Sequence, residues 1–154
     1  AREPVEIIVL LFCNGATIRP GLIDEGIEAL RGNQRYDSAC SVSQYNMWSP
    51  LRARRIGEDW LLQPFVPLEA FENASCDRNS QGDVYFADCS AFVVRPHVLE
   101  DLEHGMLPFR WQGRCIYPLI QWGGLDVDGE WQVPQVEFWL RKHGFSDTGT
   151  PYED

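Results

Sequence analysis

Apolar and polar positions predict a strand, a helix and a second strand in the first part of the chain. The run Ile7–Phe12 is almost uninterrupted and rich in β-branched residues, which predicts a central strand covered on both faces in a parallel sheet. A helix is predicted to begin near Pro20 and to end at Gly32. Tyr36–Val42 is predicted to be the second strand, which gives the segment the size of a right-handed βαβ unit. The apolar face of the helix is formed by Leu22, Ile23, Ile27 and Leu30.

The middle of the chain is predicted to be extended, because three prolines fall between residues 50 and 67. Prolines restrict such segments to sheet edges, turns and arms. Trp60–Phe71 is therefore predicted to be an arm exchanged between subunits. A polar turn over residues 77–83 precedes apolar residues at 84–86 and 91–94, which predict another strand.

The last part of the chain contains weaker signals followed by one clear helix. Pro96–Glu103 is predicted to be a short helix ending at Gly105, and Cys115–Leu119 a short strand. A final helix is predicted from Trp131 or Pro134 to His143, with Gly144 as its stop. Its inward residues are Val136, Trp139 and Leu140. The single predicted domain spans residues 1–145, and residues 146–154 are predicted to be a frayed tail.

The composition predicts an ordinary globular domain with an acidic surface. The chain has 154 residues, of which 44% are hydrophobic, and its formal net charge is -10. Such a surface repels phosphate backbones and anionic lipids, so neither nucleic acid nor a membrane is an expected partner. No apolar run reaches the roughly 20 residues of a membrane span, and no signal peptide is recognisable, so the expected location is the cytoplasm.

The five cysteines are widely spaced and predict neither a zinc site nor a disulfide framework. We expect all five to be reduced thiols, most of them buried. The three histidines have no cysteine or serine partner at a diagnostic spacing, so none is assigned to catalysis. His143 is expected to interact with a helix C-terminus.

The segment Leu125–Glu130 contains the sharpest chemical signal. Alternate residues of an extended strand point the same way, which places the carboxylates of Asp126 and Asp128 on one face. Magnesium favours one or two protein carboxylates and takes its other ligands from phosphates and water, so the pair indicates a nucleoside triphosphate or a similar substrate. The alternative is an acidic turn in which Asp128 caps the following helix.

Two further polar groups have a functional and a structural interpretation. Arg52, Arg54 and Arg55 could clamp a phosphate or a carboxylate, but solvated or structural ion pairs are the favoured interpretation. The loop 76–83 is typical of segments that recognise sugar hydroxyls or carboxylates, and a purely structural turn is the alternative.

Four ordered segments resemble the acylneuraminate cytidylyltransferase family, whose members make CMP-activated sugar acids. The first runs from Glu6 through Pro20 into Leu22–Ile27, and the second is Tyr36–Ser43. The third is Ser80–Asp88, and the fourth is Gly123–Asp128. The resemblance covers roughly residues 5–145.

The resemblance implies a three-layer, Rossmann-like fold of the nucleotide-diphospho-sugar transferase type. Its sheet would be mixed but mostly parallel, and an extended arm would mediate dimerisation. The implied reaction transfers CMP from CTP to a sugar acid of the nonulosonic type with Mg²⁺ as cofactor. Asp126 and Asp128 match the metal-binding pair of the family. The implied substrate-binding residues are Asn14, Arg19, Arg78, Gln81, Asp88 and Phe92, the last in the wall of the sugar pocket.

The sequence differs from the family at three places. The glycine- and basic-rich loop that holds the triphosphate near the family's N-terminus has no counterpart, so the chain is expected to correspond to the C-terminal portion of such an enzyme. Phe12 replaces a common glutamine, and Asp88 replaces a common asparagine. We therefore expect a homodimer or a partner chain that supplies the missing half. The alternative is a non-catalytic nucleotide- or sugar-binding or interaction protein.

Overall fold

The computed structural model describes residues 4–71 and 75–152 of the chain. Two compact units are present: one is formed by residues up to Ser43 and from Ala87 onwards, and the other by Gln44–Phe86. No helix within the described ranges is long and apolar enough to cross a bilayer. The strands and α-helices, in chain order, are β1 (Ile8–Leu10), α1 (Pro20–Gly32), β2 (Ser38–Gln44), β3 (Arg54–Ile56), β4 (Leu62–Pro64), β5 (Tyr85–Val94), β6 (Ile116–Gln121) and α2 (Val133–Lys142).

The first unit contains a mixed sheet with the strand order β1-β5-β2-β6. β2 and β6 pair in parallel, whereas β1 and β5 are antiparallel. Asp88, near the start of β5, is bonded to Ser43, and the N–H of Arg95 beyond its end donates to the carbonyl of Asp37 before β2. β5 therefore runs against β2, while β1, β2 and β6 point the same way. The mixed α/β class is confirmed, but the expectation of a mostly parallel sheet is wrong, because of the three neighbouring pairs in this sheet only β2 and β6 are parallel.

The prediction that Ile7–Phe12 is a central strand is wrong. β1 covers only Ile8–Leu10 and lies at the edge of the sheet, where Val9 and Leu10 are exposed. The central positions belong to β5 and β2, whose small side chains allow close packing on both faces. An apolar run indicates burial on two faces only when both neighbouring strands exist, and β1 has one.

Helix α1 covers one face of this sheet, as its apolar spacing predicts. Leu22 and Leu30 pack with Val93 of β5 and Leu119 of β6, and Pro20 begins the helix at the predicted position. Because side chains alternate along a strand, Phe92 and Val94 lie on the opposite face. There they pack with partly buried aromatic residues, which are Phe12, Phe109 and Trp111.

The later predictions hold with changes in detail. The segment after Pro96 forms a 3-10 helix that ends at Glu100, earlier than predicted. α2 buries Val136 and Trp139, and Gly144 adopts a positive φ of 88° just beyond it. Nδ1 of His143 donates to the carbonyl of Trp139 at 2.8 Å, at the C-terminal end of α2.

The second unit is built around a two-stranded antiparallel hairpin. β3 pairs with β4, and the intervening turn includes Trp60, which has a φ of 60° and is 84% exposed. The side chains of Ile56, Leu62 and Phe65 are exposed as well. The proline-rich middle therefore forms a hairpin with apolar residues on its surface.

The expectation that most cysteines are buried is wrong. All five are free thiols, but only Cys40 and Cys89 are buried, whereas Cys13, Cys76 and Cys115 are exposed. The exposed three lie in loops, where a small polarizable side chain is tolerated without packing.

Close packing of α1 on the sheet is expected to make Gly26 intolerant of a side chain. A Cβ at Gly26 would lie 2.8 Å from Cγ2 of the buried Val93, whereas a Cβ at Gly21 would have no atom within 4 Å. We expect Gly26→Ala to lower the free energy of unfolding by about 1–3 kcal/mol. Gly21→Ala, the matched control, should raise it by up to about 1 kcal/mol because alanine favours helix. Urea denaturation measures both; equal effects would contradict the packing.

Candidate functional site

Polar residues from four elements meet at the edge of the sheet where β1, β2 and β6 end. β2 contributes Ser43, β6 contributes Gln121, and the loop after β1 contributes Asn14. β5 starts at this same edge with Asp88. Ligands of open α/β sheets bind at the carboxyl ends of the parallel strands, so this edge is the candidate site.

Asp88 organises the edge from inside the protein. Its side chain is 4% exposed and accepts four hydrogen bonds: from the hydroxyls of Ser41 (2.6 Å) and Ser43 (2.8 Å), from Nε2 of Gln121 (3.0 Å) and from the backbone N–H of Ser90 (3.2 Å). Four donors satisfy both carboxylate oxygens. Asp88 thus binds to the protein's own strands, and its carboxylate is turned away from solvent.

The same network fixes the loops that leave the sheet. Ser43 Oγ accepts from the N–H of Gly124, and Thr17 Oγ1 accepts from the N–H of Leu125. Gln121 Nε2 also approaches the Thr17 carbonyl at 3.2 Å. Gly124 has no room for a side chain, since a Cβ there would lie 2.4 Å from Oδ2 of Asp88. The segment that precedes Asp126 is therefore held from both sides.

Gln132 shapes the acidic segment itself. Its Oε1 accepts from the N–H groups of Asp128 and Gly129, both at 2.8 Å, and its Nε2 donates to the carbonyl of Asp126. Asp128 does not cap the helix that follows; the N-cap residue is Gly129 and the side chain that serves it is Gln132. Leu125–Asp128 forms no strand, and Asp128 lies in a bend, so the predicted alternation of side chains along a strand does not apply to this segment. The spacing of Gly129 and Gln132, typical of a capping box, is the signal in the sequence.

The two carboxylates of the acidic segment differ in exposure and in partners. Burial, followed by the negative charges of Asp126, Asp88 and Asp128, raises the pKa of the Cys89 thiol to about 12. Asp126 is half-buried and Asp128 is exposed, and Nδ2 of Asn14 donates to Oδ1 of Asp128 at 3.1 Å. The structure thus brings Asn14 to the acidic pair.

The backbone at Cys89 has an unusual conformation and lies close to the loop after β1. Cys89 has a φ of 58°, an unfavourable value for a residue with a side chain. Ser90, which follows it, donates its N–H to Asp88. A Cβ at Gly15 would lie 2.9 Å from the carbonyl oxygen of Cys89, so the loop after β1 approaches β5 very closely. This approach places Asn14 beside the acidic segment.

The other predicted residues of this unit have different surroundings. Arg19 is exposed at the start of α1 and forms no ion pair with any residue that the structure describes. Phe92 has no exposed surface and contacts the rings of Phe12, Phe109 and Trp111. Phe92 is therefore part of the core, and its ring reaches no open pocket wall.

The remaining predicted residues belong to the second unit. Arg78 begins a 3-10 helix that ends at Gln81, and the side chain of Arg78 lies outside the described part. Gln81 lines a cavity with a volume of about 590 Å³. Arg52 and Arg54 line the same cavity, whereas Arg55 lines a separate surface depression. The three arginines do not act as one cluster.

The acidic segment offers two carboxylates as possible ligands of a metal ion. Among the described residues, no group of three or more histidine, cysteine, aspartate or glutamate side chains is arranged around one point for a metal. Two carboxylates, one of them open to solvent, leave most of an octahedral shell to water or phosphate. Asp126 and Asp128 would be its protein ligands.

No protein-family model matches the chain, and no curated protein matches it either.

The Asp88 network generates a stability prediction. Asp88→Asn replaces one carboxylate oxygen by an NH₂ group, which faces a hydroxyl or amide donor and leaves buried groups unpaired. We expect the free energy of unfolding to fall by about 2–3 kcal/mol in urea denaturation. Asp83→Asn is the control, because Asp83 is exposed and its partners among the described residues are the side chains of Gln44 and Asn46. Two variants of equal stability would show that the network is dispensable.

Proposed function

We propose that the chain is a cytidylyltransferase-like protein that transfers CMP from CTP to a sugar acid of the nonulosonic type. The observation that carries the proposal is the contact of Asn14 with the acidic segment at the carboxyl edge of the sheet, where its Nδ2 donates to the Val127 carbonyl and to Oδ1 of Asp128. The ordered sequence resemblance supports the same reaction, and its first and last segments contain these three residues. A Rossmann-like transferase fold and a cytoplasmic location belong to this proposal.

In the proposed reaction, an oxygen of the sugar acid's anomeric hydroxyl forms a bond to the α-phosphorus of CTP. The bond from that phosphorus to the bridging oxygen breaks, pyrophosphate leaves with the electron pair, and the hydroxyl proton passes to solvent. Magnesium, when bound, neutralises charge on the phosphates. Such reactions depend mainly on positioning and charge compensation, so the protein needs no covalent intermediate.

The residues of this chain would divide these tasks. Asp126 and Asp128 would hold the cation, while Asn14 orients Asp128 through its amide. Arg19 is exposed after the same loop as Asn14 and would bring a positive charge to an anionic substrate. Asp88 would act as a positioning residue, because its four hydrogen bonds hold the strands from which the site is built.

A second subunit is part of the proposal. The exposed apolar side chains of the β3–β4 hairpin suit the predicted exchanged arm, since burial of such residues drives association. The free edge of β1 and the exposed Val9 and Leu10 suit a partner strand. Either contact would let a second chain provide what, according to the resemblance, the missing half of the enzyme provides.

The alternative is a non-catalytic protein of the same lineage that binds a nucleotide or sugar. Two implied substrate residues favour it, because Asp88 is engaged by the protein's own donors and Phe92 lies in the core. On this alternative CTP binds without pyrophosphate release. The two functions are distinguished by measuring binding and turnover on the same preparation.

We expect the acidic pair to control CTP binding in the presence of Mg²⁺. Calorimetry should show affinity falling at least about tenfold in Asp126→Ala and in Asp128→Ala, because the phosphates lose their shared cation. Pyrophosphate release with a sugar acid should fall by about 100-fold or more in both variants. Asp24→Ala, on the exposed surface of α1, is the control and should behave as the parent protein. Normal binding in either variant of the pair would remove the metal assignment.

We expect the chain to be at least dimeric at micromolar concentration. Light scattering should give about twice the mass of one chain, and Leu62→Glu should shift the protein towards monomer by placing a charge on the exposed face of β4. Glu58→Gln lies in the turn of the same hairpin and should leave the mass unchanged. A monomeric parent protein would contradict the proposed arm.

A further inference from the structure

The cavity of the second unit is lined by residues to which the proposed reaction gives no role, apart from Gln81, which the sequence resemblance implies as a substrate residue. Its volume of about 590 Å³ is in the range of small-molecule sites. Leu51 and Phe71 supply apolar surface to the cavity, and Arg52 and Arg54 supply positive charge. Gln81 and Cys76 line it as well. All six belong to the segment 44–86.

The two arginines provide donors without counter-ions. Neither forms an ion pair with a residue of the described ranges, although the chain as a whole is strongly acidic. Nη1 of Arg54 donates to the carbonyls of Leu51 (2.7 Å) and Ala53 (2.9 Å), which fixes the guanidinium and leaves its other N–H groups for a ligand. A fixed guanidinium binds a carboxylate or phosphate at a smaller loss of side-chain entropy.

Gln81 adds an unused acceptor. Its Oε1 is buried and has no hydrogen-bond partner, a condition that destabilises a folded protein by about 1–3 kcal/mol. If the side-chain amide of Gln81 rotates towards the cavity, its Oε1 atom loses no hydrogen bond. A ligand that carries a hydroxyl or amino donor would therefore gain a bond and satisfy the acceptor.

We propose that this cavity binds a small organic anion, a phosphate ester or a carboxylate, that also carries a hydroxyl donor. Arg52 and Arg54 bind the anionic group, Gln81 accepts from the hydroxyl, and Phe71 covers an apolar face of the ligand. All the lining residues belong to the second unit, and the proposal does not depend on the proposed transferase function.

Cys76 offers a direct measurement on the full-length chain. It is an exposed thiol in the cavity wall, while the exposed Cys13 and Cys115 lie outside the lining and serve as internal references. Alkylation by iodoacetamide is followed for each cysteine by peptide mass spectrometry. The probes are glucose 6-phosphate and gluconate, and neutral glucose is the matched control.

We expect at least one anion to slow alkylation of Cys76 several-fold and to leave Cys13 and Cys115 unchanged. Protection by glucose 6-phosphate alone identifies a phosphate ester, and protection by gluconate alone identifies a carboxylate. Arg52→Gln and Gln81→Leu should each raise the half-protecting concentration about tenfold. Arg55→Gln should leave it unchanged, because Arg55 does not line the cavity.

Three results would overturn the site. The first is that neither anion protects Cys76, and the second is that glucose protects it as well as the anions do. The third is an equal loss of protection in Arg55→Gln and Arg52→Gln. Circular dichroism verifies that each variant is folded, and Gln81→Leu tests the site even where removal of an arginine disturbs the hairpin. Asp126→Ala should retain protection, so failure of the transferase proposal remains distinguishable.

Discussion

The carboxylate of Asp88 is the interaction on which the first unit depends most. A buried charge is tolerated only when donors replace its water, and Asp88 obtains them from β2, β6 and its own strand. Replacing Ser41 or Ser43 by an apolar residue of similar size therefore removes one of the four donors to the buried carboxylate. The polar edge of the sheet is thus as constrained as its apolar core.

This constraint connects packing to the candidate chemistry. Ser43 holds Gly124 and Thr17 holds Leu125, so the acidic segment leaves the sheet from a fixed starting point. Gln132 then fixes the far side of the segment. The side chains of Asp126 and Asp128 need few hydrogen bonds of their own, because the backbone of their segment is already held in place. A metal-binding pair benefits from this arrangement, since its carboxylates remain available for the ion.

The positions of the helices and of several strands could be predicted from the sequence. Which strands are neighbours in the sheet could not. The apolar spacing on α1 and the stop at Gly32 are local signals, and both are observed. The position of Ile8–Leu10 at the edge depends on which strand pairs with it, and that choice is made by long-range contacts. The ten-residue β5 took the central place that the more apolar β1 was predicted to have.

The candidate site shows the same division. The spacing of Asp126 and Asp128 indicated an acidic pair, and Asn14 was named only through the sequence resemblance. The internal role of Asp88 depends on serines that are 45 and more residues away, so no local pattern could reveal it. Likewise, Arg52 and Arg54 are separated from Arg55 by strand geometry, which adjacency in the sequence conceals.

The path of the chain through the first unit has a consequence for its modularity. The segment 44–86 leaves after Ser43 and returns before Asp88, and these two residues are joined by a hydrogen bond of 2.8 Å. Because the chain leaves and re-enters the first unit at neighbouring points, lengthening the segment between them adds little to the entropic cost of closing it. The segment 44–86 can therefore change in length, or gain a binding site, while the hydrogen bonds of Asp88 at the edge of the sheet stay in place.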